Sequence, residues 1–181
     1  MAIKSTIFKA ELQITDMDRH YYADHQLTIA RHPSENDERM MVRLLAFALN
    51  ASDTLQFTKG LSTDDEPDLW QKSPSDEIEL WIDLGQPDEK RIRKACGRAR
   101  KAMIYIYQYG SGKQWWEQNQ SKLARFENLS IVSVNDETAS SLGKMVERTM
   151  RLQCTIQDGH LWFTNGEQSV EVTPEIWKSG N

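Results

Sequence analysis

The sequence predicts a mixed α/β fold, with helices on the faces of a mixed sheet and extra β-hairpins at both ends of the chain. Segments that alternate apolar and polar residues, as strands do, are interspersed with segments of helical spacing. Their order in the middle of the chain is helix, strand, strand, helix, strand, helix, strand, which is typical of helices packed on a sheet. The 181 residues suffice for one sizeable core, so we expect a single domain over residues 1–181.

The individual elements follow from periodicity and from the residues that start or end helices. Strands are predicted at residues 6–14, 26–30, 55–58, 69–71, 77–84, 103–109, 129–134, 151–156 and 161–164. Helices are predicted at residues 35–50, 87–101, 113–126 and 140–149. Ser34 suits the N-cap of the first helix, and Asp158-Gly159 suits the turn of the last hairpin. We expect a bend at residues 60–67 and a fraying tail at residues 173–181, unless Trp177 pins it.

The clearest patterns lie between residues 77 and 101. A period of two places one set of apolar side chains on a single face of the strand: Ile78, Leu80, Ile82 and Leu84. The other face carries Glu77, Glu79, Trp81 and Asp83. Pro87 then opens a helix in which Asp88 and Glu89 suit the positive end of the dipole. A stripe of small residues on this helix predicts close packing on a sheet.

Charge is segregated along the same stretch, although the chain as a whole has a net charge of -5 and a pI of about 5.4. The acidic part comprises Asp64, Asp65, Glu66, Asp68, Asp76, Glu77, Glu79 and Asp83. The basic part comprises Lys90, Arg91, Arg93, Lys94, Arg98, Arg100 and Lys101. The overall charge argues against indiscriminate coating of nucleic acid. Nucleic-acid contacts are therefore expected only at the basic helix, through Arg91 and Lys94, which share a face, and Arg98.

Several classes of protein are disfavoured by what the sequence lacks. The start of the chain has no apolar run typical of a signal peptide, and no stretch approaches the roughly 18 apolar residues of a membrane span. We expect a cytoplasmic protein without a membrane partner. Cys96 and Cys154 show no CxxC spacing and are expected to be reduced and structural. The histidines lack metal-ligand spacing, and the absence of a GxSxG motif gives acyl transfer no support.

Two carboxylates could meet at the edge of the predicted sheet. Asp68 begins one strand and Asp83 stands near the end of the next, so they would converge if those strands are neighbours. Hard oxygen donors suit Mg²⁺, which can bridge to phosphate and activate an attacking water. The following helix would offer Lys90, Arg91 or Lys94 to neutralise developing charge.

Three strings carry a resemblance to a known family: HPSENDERMMVRLLAFALNA, DEPDLW and LWIDLGQPDEKRIRKACGRA. They resemble the YaeQ family, a group of bacterial proteins of poorly defined role, over nearly the whole chain. The resemblance implies a variant of the PD-(D/E)XK nuclease fold, also called restriction-endonuclease-like. In that superfamily's pattern Asp68 is the first metal-binding acid, Asp83 is the second, and Glu38 is the acid from the first core helix.

The superfamily's lysine, expected two residues after the second acid, falls on Gly85. A bulge could bring Gln86 onto the metal face, or Lys90 or Lys94 could replace the lysine. Two functions follow from these alternatives. The first is a Mg²⁺-dependent nuclease, and the second is a non-catalytic protein that keeps the fold and binds nucleic acid or a protein partner.

Each of these residues also has an ordinary structural interpretation. Asp68 and Asp83 could belong to a solvated strand face, and Glu38 could favour the dipole of its own helix. The basic helix could simply keep the domain soluble. The six tryptophans are expected to pack in the core rather than to stack on bases.

Overall fold

The computed structural model describes residues 4–58 and 65–181, which fall into two compact units. The first unit comprises residues 4–52 and 137–174, and the second comprises the remaining described residues. A single domain over residues 1–181 stays a prediction. Asp64 and most of the predicted bend at residues 60–67 lie outside the described residues.

The secondary structure is mixed, as predicted. In chain order the strands are β1 (Thr6–Asp16), β2 (Tyr21–Arg31), β3 (Leu55–Phe57), β4 (Leu69–Lys72), β5 (Ile78–Leu84), β6 (Ala99–Ile106), β7 (Leu129–Ser133), β8 (Thr149–Gln157), β9 (His160–Thr164), β10 (Ser169–Val172) and β11 (Glu175–Lys178). The helices are α1 (Asp37–Asn50), α2 (Glu89–Arg98), α3 (Tyr109–Leu123) and α4 (Asp136–Gly143). Within the described residues, no helix combines the length and apolar character needed to cross a bilayer.

The first unit contains a five-stranded sheet in the order β10-β9-β8-β1-β2. β1 pairs antiparallel with β2 and parallel with β8, so the two terminal hairpins form one sheet. The expectation of a mixed fold with β-hairpins at both ends is confirmed, but the described strands form two mixed sheets rather than one. Alternation predicted the strands correctly, but a period of two does not reveal which strand pairs with which.

Helix α1 is buried from Arg39 to Ala48 without interruption. The helix itself was predicted correctly, but its N-cap was not. Asn36 is the cap, because its side-chain oxygen accepts a hydrogen bond from the backbone N–H of Arg39 at 2.8 Å. Ser34 instead contacts Nδ1 of His32 through its hydroxyl, at 2.7 Å.

The second unit contains a six-stranded sheet in the order β11-β7-β6-β5-β4-β3. Its central strands β5, β6 and β7 are parallel, while β3, β4 and β11 run antiparallel to their neighbours. Helices α2 and α3 contribute to one apolar cluster with residues of the parallel strands. Their residues in it include Ile92 and Ala95 of α2 and Trp115 and Leu123 of α3. This cluster covers the face of the sheet that also carries Trp81.

Several boundaries in the C-terminal half were predicted wrongly. The basic helix ends at Arg98 and β6 begins at Ala99, since polar residues at the start of that strand resemble a solvated helix face. The strand predicted to reach residue 109 stops at Ile106, because α3 begins at Tyr109. The helix predicted at residues 140–149 spans Asp136–Gly143 instead.

The C-terminal tail does not fray. β11 pairs antiparallel with β7, and Trp177 stacks on Trp116 with ring centroids 6.1 Å apart. β10 is a further strand that periodicity missed. The turn between β8 and β9 is confirmed, since Asp158 and Gly159 have φ angles of 53° and 77°, as the favoured two-residue hairpin turn requires.

Candidate functional site

The two predicted acids do lie on neighbouring strands. β4 and β5 are antiparallel, and Leu69 pairs with Ile82, so Asp68 and Asp83 follow directly in the same register. Each residue is only 4% exposed. The expectation that they belong to a solvated strand face is therefore wrong for both, because this end of the sheet is covered.

Both carboxylate oxygens of Asp83 accept hydrogen bonds from side chains of the second unit. Arg91 donates to both oxygens, from Nε to Oδ2 at 2.9 Å and from Nη2 to Oδ1 at 3.0 Å. The indole Nε1 of Trp81 donates a third bond to Oδ2 at 3.0 Å. A bidentate guanidinium is the strongest common partner of a carboxylate. Asp83 is therefore the buried partner of an ion pair whose arginine is partly exposed.

Asp68 is hydrogen-bonded to the backbone of β5. Its Oδ2 accepts a hydrogen bond from the backbone N–H of Leu84 at 2.9 Å, and its own N–H donates to the carbonyl of Ile82 at 3.0 Å. The carboxylate thus extends the pairing of β4 and β5 by one bond beyond the last ladder residue.

Helix α2 points its cationic face at the chain's own acidic segment. Asp88 is its N-cap and accepts from the backbone N–H of Arg91 at 2.8 Å, which fixes where the helix begins. Arg91 then reaches the carbonyl of Glu66, Lys94 reaches the carboxylate of Asp65 at 2.6 Å, and Arg98 reaches the carbonyl of Asp65. The hydrogen bond from Lys94 is the main cause of a lowered pKa for Asp65. The predicted shared face of Arg91 and Lys94 is confirmed.

Gly85, two residues after Asp83, has a backbone conformation that favours glycine. Its φ is +102°, a conformation that side chains with a Cβ rarely adopt, and its N–H donates to the carbonyl of Tyr105. The side-chain amide of Gln86 donates to the hydroxyl of Ser111 at 2.8 Å. Lys90 is exposed on the first turn of α2. The positive φ of the turn after β5 therefore favours glycine at this position.

Glu38 belongs to the first unit, whereas the two aspartates belong to the second. It lies in the first turn of α1, the position that favours an acid beside the helix dipole. A Cβ placed on Gly143 of α4 would come within 3.0 Å of its Cγ. Glu38 therefore packs against α4 at a point where only glycine fits without a shift.

The donor set does not fit a divalent metal. Among residues 4–58 and 65–181, no three side chains of His, Cys, Asp or Glu lie together as a metal-binding group. Mg²⁺ binds through carboxylate oxygens, and Arg91 donates to both oxygens of Asp83. No chemical step is therefore assigned to a metal at this position.

Sequence reasoning missed the role of Trp81. This indole is 1% exposed, donates to Asp83, and lies beneath the guanidinium groups of Arg91 and Arg98, which are 5.9 and 5.3 Å from the ring. A signal was present, because Trp81 and Asp83 share a strand face and Arg91 lies in the first turn of the next helix. A large apolar residue within an otherwise acidic strand face indicates that another element packs over that face.

Known proteins are similar to this chain over almost its whole length. The family model described as "YaeQ protein" matches residues 1–174. The chain belongs to the YaeQ family. Relatives in Escherichia coli (strain K12), Shigella flexneri and Salmonella typhi, each described as "Uncharacterized protein YaeQ", are 46% identical over 178 residues, covering 98% of both sequences.

Two solved YaeQ structures share this fold. The crystal structure of the YaeQ protein from Xanthomonas axonopodis pv. citri has a TM-score of 0.94 and 48% identity, covering 97% of this chain and 99% of that one. The crystal structure of the YaeQ protein from Pseudomonas syringae has a TM-score of 0.92 and 36% identity, covering 97% of each chain. The family resemblance predicted from the three strings is thereby confirmed.

Proposed function

We propose that this YaeQ-family protein is non-catalytic, keeps a core related to PD-(D/E)XK nucleases, and binds nucleic acid through α2. The observation that carries the proposal is the bidentate bond from Arg91 to Asp83, at 2.9 and 3.0 Å. It places a resident cation on the acid that a nuclease would use for its metal. A glycine in the lysine position, fixed by its positive φ, supports the same conclusion.

Exposed cations on α2 and the start of β6 support nucleic-acid binding. They are Lys90, Arg93, Lys94, Arg98, Arg100 and Lys101. Lys94 is paired with Asp65, but their side chains are 40% and 84% exposed, and such surface pairs contribute little to stability. A phosphate can therefore replace Asp65 as the partner of Lys94 at small cost. Binding of this kind weakens as the salt concentration rises, because the release of counterions from the phosphates becomes less favourable.

The test combines a binding assay with a cleavage assay on the full chain. Fluorescence anisotropy with labelled single-stranded DNA, double-stranded DNA and RNA measures affinity at several salt concentrations. We expect binding to at least one of them, with affinity that falls steeply as salt rises, and no cleavage with Mg²⁺ or Mn²⁺.

A charge-matched pair of variants makes the test specific. Lys90→Glu with Arg93→Glu reverses two exposed cations of α2, and we expect at least a tenfold loss of affinity. Lys9→Glu with Lys144→Glu makes the same change in net charge on exposed residues of the first unit and should leave binding nearly unchanged. Equal effects of the two pairs, or no binding to any nucleic acid, would overturn the binding proposal. Association with a partner that is indifferent to salt would point to a protein instead.

The metal-dependent nuclease is the second candidate, and the burial of two aspartates on adjacent strands favours it. That function assigns the metal to Asp68 and Asp83, and it requires Arg91 to release both oxygens of Asp83. The nitrogen and amide donors that would replace the missing lysine are Gln86, Lys90 and Lys94. Cleavage that requires Mg²⁺ or Mn²⁺ and disappears in Asp83→Asn would establish this function and refute the non-catalytic one.

A further inference from the structure

The five-stranded sheet of the first unit carries a cavity of about 470 Å³ on its outer face. Outward and inward side chains alternate along β1, where Glu11 and Gln13 are exposed and Leu12 between them is buried. Exposed residues of β1, β2 and β8 line the cavity, which extends to Asn165 and Gly166 in the turn after β9. The cavity therefore lies on the face of the sheet opposite its buried side chains.

The strand registers place the polar side chains of the cavity in two rows that run across the sheet. The first row, from β2 to β9, contains Asp24, Gln13, Gln153 and Thr164. The second row contains Gln26, Glu11 and Arg151. Adjacent strands lie about 4.8 Å apart, so the first row spans about 14 Å. Asn165 holds the turn beside it, since its Oδ1 accepts the backbone N–H groups of Glu167 and Gln168 at 2.9 and 2.7 Å. The cavity is thus elongated, and one end of it is fixed by hydrogen bonds.

The charges in the cavity nearly cancel. Of the acidic and basic residues that line it, Glu11 and Asp24 are carboxylates and Arg151 is the cation. Nε of Arg151 lies 3.4 Å from Oε2 of Glu11, so these two charges form a pair and Asp24 supplies the remaining negative charge. A polyanion is therefore not attracted here, and a polycation meets one carboxylate that lacks a neighbouring arginine.

The uncharged side chains decide which ligand fits. Gln13, Gln26 and Gln153 each carry a planar amide that both donates and accepts hydrogen bonds. An apolar ligand would gain little, because the exposed residues that line the cavity are polar or glycine. The complementary ligand is uncharged, elongated and rich in groups that both donate and accept, which is the chemistry of vicinal hydroxyl groups.

Two aromatic rings flank the first row on the same face of the sheet. Tyr22 lies two residues before Asp24 on β2, and Trp162 lies two residues before Thr164 on β9. The registers place both rings in one row with two threonines between them. Tyr22 is 60% exposed and Trp162 is half-buried. A pyranose has an apolar face of C–H groups that packs on such a ring, while amides and carboxylates beside the ring bind its hydroxyls.

We propose that this face of the first unit binds a neutral oligosaccharide that runs across the strands. Gln13, Asp24 and Gln153 bind its hydroxyl groups, and Tyr22 and Trp162 pack against its apolar faces. The site lies in the first unit, whereas α2 belongs to the second, so the proposal stands apart from nucleic-acid binding. It rests on the near balance of charge in the cavity together with the amides and the flanking rings.

The first test is calorimetric titration of the full chain with maltotriose, cellotriose and triacetylchitotriose. We expect saturable binding of at least one of them at millimolar concentration or below. Gln153→Ala removes an amide from the first row and should weaken that binding about fivefold or more. Gln157→Ala is the matched control, because Gln157 is an exposed glutamine of the same strand about 14 Å away, outside the cavity. Binding of none of the three saccharides, or equal effects of the two variants, would overturn the proposal.

The second test separates a neutral ligand from a charged one. The affinity for the saccharide should be the same at low and at high salt, because no charge on the ligand is screened. Spermidine and a short single-stranded DNA are the charged comparison probes, and Gln153→Ala should leave any binding of either unchanged. Saccharide affinity that falls steeply with salt, or spermidine or DNA binding that Gln153→Ala weakens, would contradict the assignment of this face to a neutral oligosaccharide.

Discussion

Replacement of Arg91 by methionine should destabilise the protein far more than replacement of a neighbouring arginine. Arg91→Met keeps much of the side chain's apolar length but removes both hydrogen bonds to Asp83. The side chain of Asp83 is 6% exposed, and Trp81 Nε1 is the donor that remains to it. The variant therefore leaves a buried carboxylate without its cation.

The expected loss can be worked out from the burial of the two partners. Removal of one member of a buried ion pair costs about 3–5 kcal/mol, because the other charge stays desolvated. The side chain of Arg91 is 28% exposed, so water can reach part of the vacated space. We therefore expect a loss at the lower end of that range or just below it, about 2–3 kcal/mol.

Urea denaturation followed by tryptophan fluorescence measures this loss. With a slope of about 2 kcal/mol per molar, the midpoint should fall by about 1–1.5 M urea. Arg93→Met is the control, because Arg93 is exposed on the same helix, and it should shift the midpoint by less than about 0.3 M. Asp83→Asn combined with Arg91→Met should recover part of the loss, because no buried charge remains. If the two arginine variants have the same stability, the ion pair does not stabilise the fold.

Three further predictions concern single residues. Gly85→Ala should lower the free energy of unfolding by about 1–2 kcal/mol because Gly85 has a positive φ. Gly97→Ala, within α2, should raise the free energy of unfolding by about 0.5–1 kcal/mol. Thermal melts in which both variants shift the melting temperature in the same direction would contradict this. Backbone N–H groups of the β8–β9 turn lower the pKa of Asp18. Asp18 therefore stabilises the fold above its unfolded pKa of about 4, and this stabilisation is lost as the pH falls through its lower folded pKa. Asp18→Asn should make the free energy of unfolding less sensitive to acid, and an unchanged pH profile would refute this. Burial raises the pKa of Cys96 to about 11 and of Cys154 to about 12, so neither thiol should react rapidly with a disulfide reagent at pH about 8 until urea unfolds the chain.

Local structure was predictable where one residue type decides the backbone. The turn at Asp158-Gly159 follows the expectation. The helix α1 was recognisable from apolar spacing, but its start was not. Both Ser34 and Asn36 are good caps, and only the completed backbone shows that Asn36 reaches the N–H of Arg39.

The long-range pairing and the environment of the site were not predictable in the same way. β1 pairs with β8 across more than a hundred residues, and a period of two is compatible with many partners for each strand. The sequence placed Asp68 near Asp83 only on the condition that their strands were neighbours, and it did not predict the engagement of Arg91 with Asp83. A cation at the start of a helix faces either solvent or the preceding strand, and its charge alone does not distinguish them. The buried Trp81 settles the choice, because it brings the helix down onto this face of the sheet.

Isothermal titration calorimetry of the full chain with Mn²⁺ tests most directly whether Asp83 serves an ion pair rather than a metal. We predict no saturable binding at millimolar Mn²⁺ in the native protein, and no difference between the native protein and Asp83→Asn. Stoichiometric binding that Asp83→Asn abolishes would contradict the account, because it would show that Mn²⁺ displaces Arg91 from the carboxylate.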